Sequence, residues 1–317
     1  MRPGRIFAVL LVIASPVFAA SNRVFVKSTG MDVGACLITA PCRSFSYAMT
    51  QVALSGEVIA LDTAGYGVFT IVQSVNVLAA PGVTAFIAVT AGTGITITAA
   101  ASDVIVLRGL ALSASGGNFG IDFQTGQALS VENCIINGFT ISGIQLSRSA
   151  DVANPRIRID HSVIRINNIG VFTANTGVGA PPPGFADLTI TNSSLSENSG
   201  SGLRAADNTR AAVTDTVFSG NNVGVYAATA TDGSAPEANL ERCTISLNNF
   251  GILAGVGIGQ VNHGIVRIAH NMITGNSRGV LESSDGTIMT LTTAGLVTNT
   301  IEGNGTDGTF TGTYTAK

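Results

Sequence analysis

Lysine is nearly missing from this chain of 317 residues: only Lys27 and Lys317 are present, tryptophan is absent, and charged side chains make up 11 % of the whole. A nucleic-acid binder needs a surplus of basic groups to meet the phosphates. Here 16 basic residues face 19 acidic ones, which argues against that partner. Three histidines, His161, His263 and His270, are too few and too scattered along the chain to build a metal centre, and no cofactor is expected. Long apolar runs are missing as well. After the first 19 residues nothing reaches the roughly 18 uncharged apolar residues that a membrane-spanning helix requires, so no span is expected. Also lacking are paired ten-residue amphipathic runs, which excludes a helical repeat.

The first 19 residues, MRPGRIFAVLLVIASPVFA, combine Arg2 and Arg5 with an apolar run from Ile6 to Ile13 and a Val17-x-Ala19 ending. That is the pattern of a cleavable signal peptide, so the chain is expected to be secreted or periplasmic. Without Arg2 and Arg5, 14 basic side chains remain against 19 acidic, a net charge of −5.

What the chain does have is a repeat. The segment RCTISLNNFGIL, 242 to 253, recurs with variation at 133, 161, 192, 215, 270 and 298. In the aligned segments the first column is polar, the second small and the fourth apolar. The seventh is Asn at Asn167, Asn198, Asn221, Asn248, Asn276 and Asn304, with Phe139 as the exception. A glycine follows at Gly143, Gly170, Gly202, Gly224, Gly251 and Gly279, at intervals of 27, 32, 22, 27 and 28 residues. Such a period marks a solenoid, whose units bury their apolar faces only against one another. Flanking runs such as IRID (157 to 160) and LTIT (188 to 191) are short, β-branched and alternating, so the units are strands. Stacked strands lie about 4.8 Å apart, which sets like residue over like. The Asn column therefore reads as an internal ladder at a bend, each amide bonded to the coils above and below.

This pattern resembles the right-handed parallel β-helix proteins of the pectate-lyase-like superfamily over roughly residues 24 to 310. The resemblance implies an all-β, single-stranded right-handed parallel β-helix with a short N-terminal helical cap, handedness following the crossover rule. Four segments are expected: the leader 1–19, a strand and helix cap 20–56, the β-helix 57–310 and a frayed tail 311–317. In the cap, SFSYAMTQVAL (44 to 54) places Phe45, Ala48, Met49 and Val52 on one helical face ending at Gly56, suited to cover the open edge of the first coil. The stretch is similar to caps of secreted β-helix proteins in which an aromatic often follows the proline; Cys42 takes that place here. Cys36 and Cys42 flank a short loop of an exported chain, so a disulfide is expected. Cys134 and Cys243 share the second column about four coils apart, too far to pair, and read as buried thiols.

Alternation assigns faces. After each repeated glycine comes an inward apolar residue and then an outward one. Going up the stack this outward column reads Asp122, Gln145, Phe172, Arg204, Tyr226, Leu253, Leu281. The first five suit an extended polar ligand such as a glycan; the plain alternative is a solvent face with an Arg–aromatic contact. A second outward column holds Glu132, Asp160, Thr191, Thr214 and Glu241. Glu132 and Asp160, on adjacent coils, could approach to about 5 Å, the separation in retaining glycosidases. Arg158 lies beside them, and the plain reading is a surface ion-pair group. Loops 174–187, 228–237 and 255–264 should form a rim on one side. The resemblance implies polysaccharide chemistry, yet neither a Ca²⁺-holding carboxylate cluster facing an Arg or Lys base nor paired Asp with Gly-His-Gly and Arg-x-Lys is present; only Asn262-His263-Gly264 is similar. The sequence thus points to a non-catalytic exported binder of polysaccharide. The alternatives are a lyase or hydrolase using Glu132, Asp160 and Arg158, and a structural or adhesive surface protein.

Overall fold

The computed structural model describes residues 20–148, 154–175, 184–228, 236–255, 264–283, 286–293 and 296–315. The leader, most of the three rim loops, and His263 lie outside the described residues. Three sheets run the length of the molecule: a first face of 13 strands, a second of 10 and a third of 9. Each turn of chain supplies one strand to each face in that order, as in Arg156–Asp160, Val163–Arg165 and Ile169–Asn175. Nine turns are complete, and a partial tenth follows. Nearly all pairing is parallel and in register, for example Ile157↔Leu188, Leu188↔Ala211 and Ala211↔Ala238. Some single runs of the sequence divide at corners: 104–114 is two strands, Val104–Arg108 and Leu110–Ala114, bent at Gly109 with φ +72°.

Two of the three corners have an identifiable physical cause. Between first and second faces the first repeat column takes left-handed backbone, from Asn133 at φ 50° through His161 and Asn192 to His270 at φ 53°. Polar residues there follow from this conformation, which short polar side chains tolerate best. Between second and third faces a left-handed residue precedes the Asn column. That position is glycine at 138, 220, 275 and 303, but Ile166, Glu197 and Leu247 in three coils. The glycines after the Asn column do not need unusual φ. They are required by proximity: a Cβ on Gly224 would lie 2.5 Å from the Gly251 carbonyl oxygen, and one on Gly251 equally close to that of Gly279.

The ladder is as expected. Asn221 Nδ2 donates to Asn248 Oδ1 (3.0 Å) and to the Leu195 carbonyl (3.0 Å), while its Oδ1 accepts from the backbone N–H and Nδ2 of Asn198. Asn167, Asn198, Asn248 and Asn276 repeat the arrangement, and Asn304 ends it by donating to Asp307 Oδ1 (2.8 Å). A buried amide is tolerable only when its donors and acceptors are all met. Phe139 starts the series, its N–H bonded to Asn167 Oδ1. A second, shorter ladder occupies the small column. Cys243 N–H donates to Asn271 Oδ1 and Asn271 Nδ2 to Asn299 Oδ1. Cys134 and Cys243 are buried free thiols, and burial pushes both up to about 11.

The two ends differ from expectation. The helix is only Phe45–Met49, capped by Ser44 Oγ accepting from Tyr47 N–H; Val52 already begins the strand Val52–Ala60, which runs through Gly56. Val52 is buried in either conformation, which is why helical periodicity extends over it. The open edge of the strand Ser21–Val26 is covered by the Cys36–Cys42 segment: Phe25 N–H donates to the Cys36 carbonyl and Cys42 N–H to the Phe25 carbonyl. The disulfide between those cysteines is present. The helix instead closes the core at the third face, with Phe45 on Tyr66 and Phe69 at ring centroids of 5.1 and 5.0 Å. At the other end, Gly312–Tyr314 is no frayed tail but a strand paired in parallel with Thr287–Thr293.

Candidate functional site

Parallel register brings the whole predicted strip together on the third face: Asp122↔Gln145, Gln145↔Phe172, Phe172↔Arg204 and Arg204↔Tyr226 are direct partners. Arg204 sits between two rings, its guanidinium carbon 5.6 Å from the Phe172 centroid and 5.4 Å from that of Tyr226. The faces of both rings that look along the stack toward Arg204 are therefore occupied by the cation. Outward the strip offers ring edges and the guanidinium. Arg204 Nε is buried with no hydrogen-bond partner, a costly arrangement for a charged donor. The column is not evenly exposed. Asp122 is buried and accepts from Gln124 Nε2 at 2.7 Å; Gln145 is half-buried and its Oε1 accepts from Ser142 Oγ at 2.8 Å. The lower end of the strip is thus satisfied internally, and Phe172, Arg204 and Tyr226 remain as the half-buried centre.

On the first face Glu132 and Asp160 are cross-strand partners, as expected, with Thr191, Thr214 and Glu241 continuing the column. Each carboxylate is held separately. Glu132 accepts from Arg108 Nε and Ser130 Oγ, both at 2.8 Å. Asp160 accepts from Thr191 Oγ1 (2.7 Å), Asn192 Nδ2 (3.3 Å) and Arg158 (3.0 Å), with His161 Nδ1 at 2.9 Å. Burial alone would raise the Asp160 carboxyl, but these four donors outweigh it and hold the group well below the usual carboxylate range. Arg158 thus pairs with Asp160 on its own strand, leaving Glu132 to Arg108. Such an anion neither delivers a proton near neutral pH nor accepts one readily, so the geometry follows the ion-pair reading.

Beside this pair is a shallow cleft of about 260 Å³, lined on its polar side by Ser130, Arg156, Arg158, Asp187 and Thr189. Arg156, Asp187 and Arg108 were not singled out by sequence reasoning. The outward alternation of RIRID, which puts Arg156 and Arg158 on one side, was the available signal. Among the described residues no group of three His, Cys, Asp or Glu side chains is placed to hold a metal, and no helix is long and apolar enough to cross a membrane.

The architecture has close counterparts among solved structures. One is a pectate lyase, Pel9A, matched with a TM-score of 0.54 over 86 % of this chain and 69 % of that one, at 14 % identity. The fold is therefore a pectate-lyase-like right-handed parallel β-helix. XylC in complex with xylose carries the same β-helix, with a TM-score of 0.63 over 85 % of this chain and 69 % of that one, at 8 % identity. No protein-family model matches the β-helix described here, and no curated protein sequence matches it. At such identities the likeness is one of backbone.

Proposed function

We propose that this β-helix is an exported, non-catalytic binder of an extended polysaccharide bearing carboxylate groups, held along the third face with Arg204 at the centre. The observation that carries this reading is the Phe172–Arg204–Tyr226 stack, which holds a half-buried guanidinium between two rings. Two rings fix the guanidinium plane and strip water from it, which strengthens a charge-assisted hydrogen bond to a planar carboxylate. Neutral sugars bind aromatic rings by stacking on their faces, and here the faces toward Arg204 are taken. Tyr226 lies one coil beyond Arg204, so a phenol hydroxyl and a guanidinium stand about 4.8 Å apart along the strip, a spacing a sugar chain can follow. One fact supports the substrate class from outside the site: a solved structure with this fold is named a pectate lyase. Export fits the leader-like first 19 residues and the disulfide.

The catalytic alternative, a lyase or hydrolase at Glu132 and Asp160, is disfavoured by the arginines that occupy both carboxylates, Arg108 on Glu132 and Arg158 on Asp160. The test is a panel of acidic and neutral polysaccharides, with bound glycan and new chain ends read in the same wells. The expected result is retention of acidic glycans without new ends, reduced at least tenfold by Arg204→Ala while the melting temperature stays within a few degrees. New chain ends, or undiminished binding by Arg204→Ala, would overturn the proposal.

A further inference from the structure

The second face has no part in that binding, and its composition is unlike the other two. On turns two to nine, seven of the eight exposed large apolar side chains among the described residues lie on this face or at the corner that follows it. Phe86, Ile135, Val217 and Met272 stand on the face itself, in a single cross-strand column. The neighbouring outward column is mostly hydroxyl: Ser196, Ser219, Ser246 and Thr274 are successive partners. Only Arg165 is charged between the strands Ala85–Val89 and Met272–Thr274, and at the following corner only Glu197. Neither of the two forms an ion pair within the chain among the described residues. A face nearly free of charge, along which exposed apolar side chains recur, suits a contact site.

We infer that this face joins two copies of the chain, packed face to face with their solenoid axes antiparallel. The residue order is what selects a second copy. A two-fold axis along the strand direction, between the fifth and sixth turns, sets turn two against nine, three against eight, four against seven and five against six. Large then meets large, Phe86 with Met272 and Ile135 with Val217, and the smaller Ala111 meets Thr244. Arg165, on turn five, comes opposite Ser196 and beside the partner's Glu197, and the symmetry makes that ion pair twice. At the opposite corner Asp215 faces Asn133 and Arg242 faces Gly109, so no like charges are opposed.

The face from turn two to turn nine is about 35 Å long and about 15 Å wide, so the pair buries roughly 1,000 Å² in all. That is the lower bound of a specific interface, which places the dimer among the weak, concentration-dependent ones. A two-fold along the solenoid axis would instead reverse the strands across the interface, setting Arg165 against the partner's Val163 and keeping it away from the partner's Glu197, which disfavours that arrangement.

Sedimentation equilibrium of the full mature chain between 1 and 200 µM tests this. The expected result is a monomer–dimer equilibrium whose dissociation constant rises at least tenfold in Arg165→Glu and in Val217→Lys, and returns to the parent value in the double variant Arg165→Glu, Glu197→Arg. Thermal melts identify any variant that fails to fold, and rescue by the double variant cannot come from misfolding. Mixing Phe86→Cys with Met272→Cys copies under an oxidant should give a covalent dimer of the mixed type. A monomer throughout, a dimer indifferent to all three substitutions, or cross-linking only between like copies would overturn the inference.

Discussion

At Leu247 an exposed, branched side chain sits on backbone with φ 58°, where three neighbouring turns place glycine. Left-handed backbone costs an L-residue roughly 1–2 kcal/mol, part of which glycine returns as unfolded-state entropy. Leu247→Gly should therefore stabilise the fold by up to about 1 kcal/mol, read as a small rise in melting temperature; a fall would show that its side chain packs more than its exposure indicates. Asp160 makes the opposite kind of contribution. Its folded carboxyl lies below the ordinary value of 3.8, so its stabilisation is full above about pH 4 and is lost as the pH falls toward the folded value. The urea midpoint of Asp160→Asn should lie below the parent at pH 7, and the gap should shrink steadily from pH 4 to pH 2. A constant gap would mean that the loss is one of packing.

Among elements, the Asn ladder was the most legible, because six identical residues at one column leave a single way to stack. Asn221→Ala removes the acceptor of both the Asn198 N–H and its Nδ2. Two buried donors are then left without partners, a loss of about 2–6 kcal/mol. Asn304→Ala, at the half-buried last rung, should cost much less, and equal costs in denaturant titrations would contradict the ladder's cooperative character. Other elements were read less well. Phe45, Ala48, Met49 and Val52 share a helical face on paper, but the helix stops at Met49 and the Cys36–Cys42 segment covers the first strand edge. Hydrophobic spacing cannot tell a helix from a strand where both bury the same residue. The third-face strip was legible as a register. That its rings clamp Arg204 depends on contacts between residues 22 and 32 positions apart, and that Asp122 is buried at its end depends on the packing of neighbouring turns, which no local pattern encodes.

For the whole molecule, stability is a sum over turns that touch only their neighbours. Opening should then start where a neighbour is missing. The N-terminal end is closed by the disulfide segment and the aromatic cluster of Phe45, Tyr66 and Phe69, while the C-terminal end relies on Gly312–Tyr314 and the last ladder rungs. Amide hydrogen exchange should show protection highest in the turns between residues 129 and 254 and falling toward 287–301 before it falls at 58–77. Uniform protection would mean that the solenoid opens as one unit.

The close contact from each repeated glycine to the next turn's carbonyl has a consequence for how such a chain changes over generations. Because the turns between Asn167 and Asn304 meet through the same glycine, the same asparagine and the same left-handed corner, a whole turn there is interchangeable in a way that no part of a turn is. Residues 215 to 241 begin and end at equivalent positions, so excising them would bring Asn198 against Asn248 and Gly202 against Gly251 with every rung reformed. Loss or duplication of such a cassette shortens or lengthens the molecule by one step, whereas a deletion of a few residues shifts every column above it. The inheritance of this architecture is therefore digital, and its length is counted in turns rather than measured in residues.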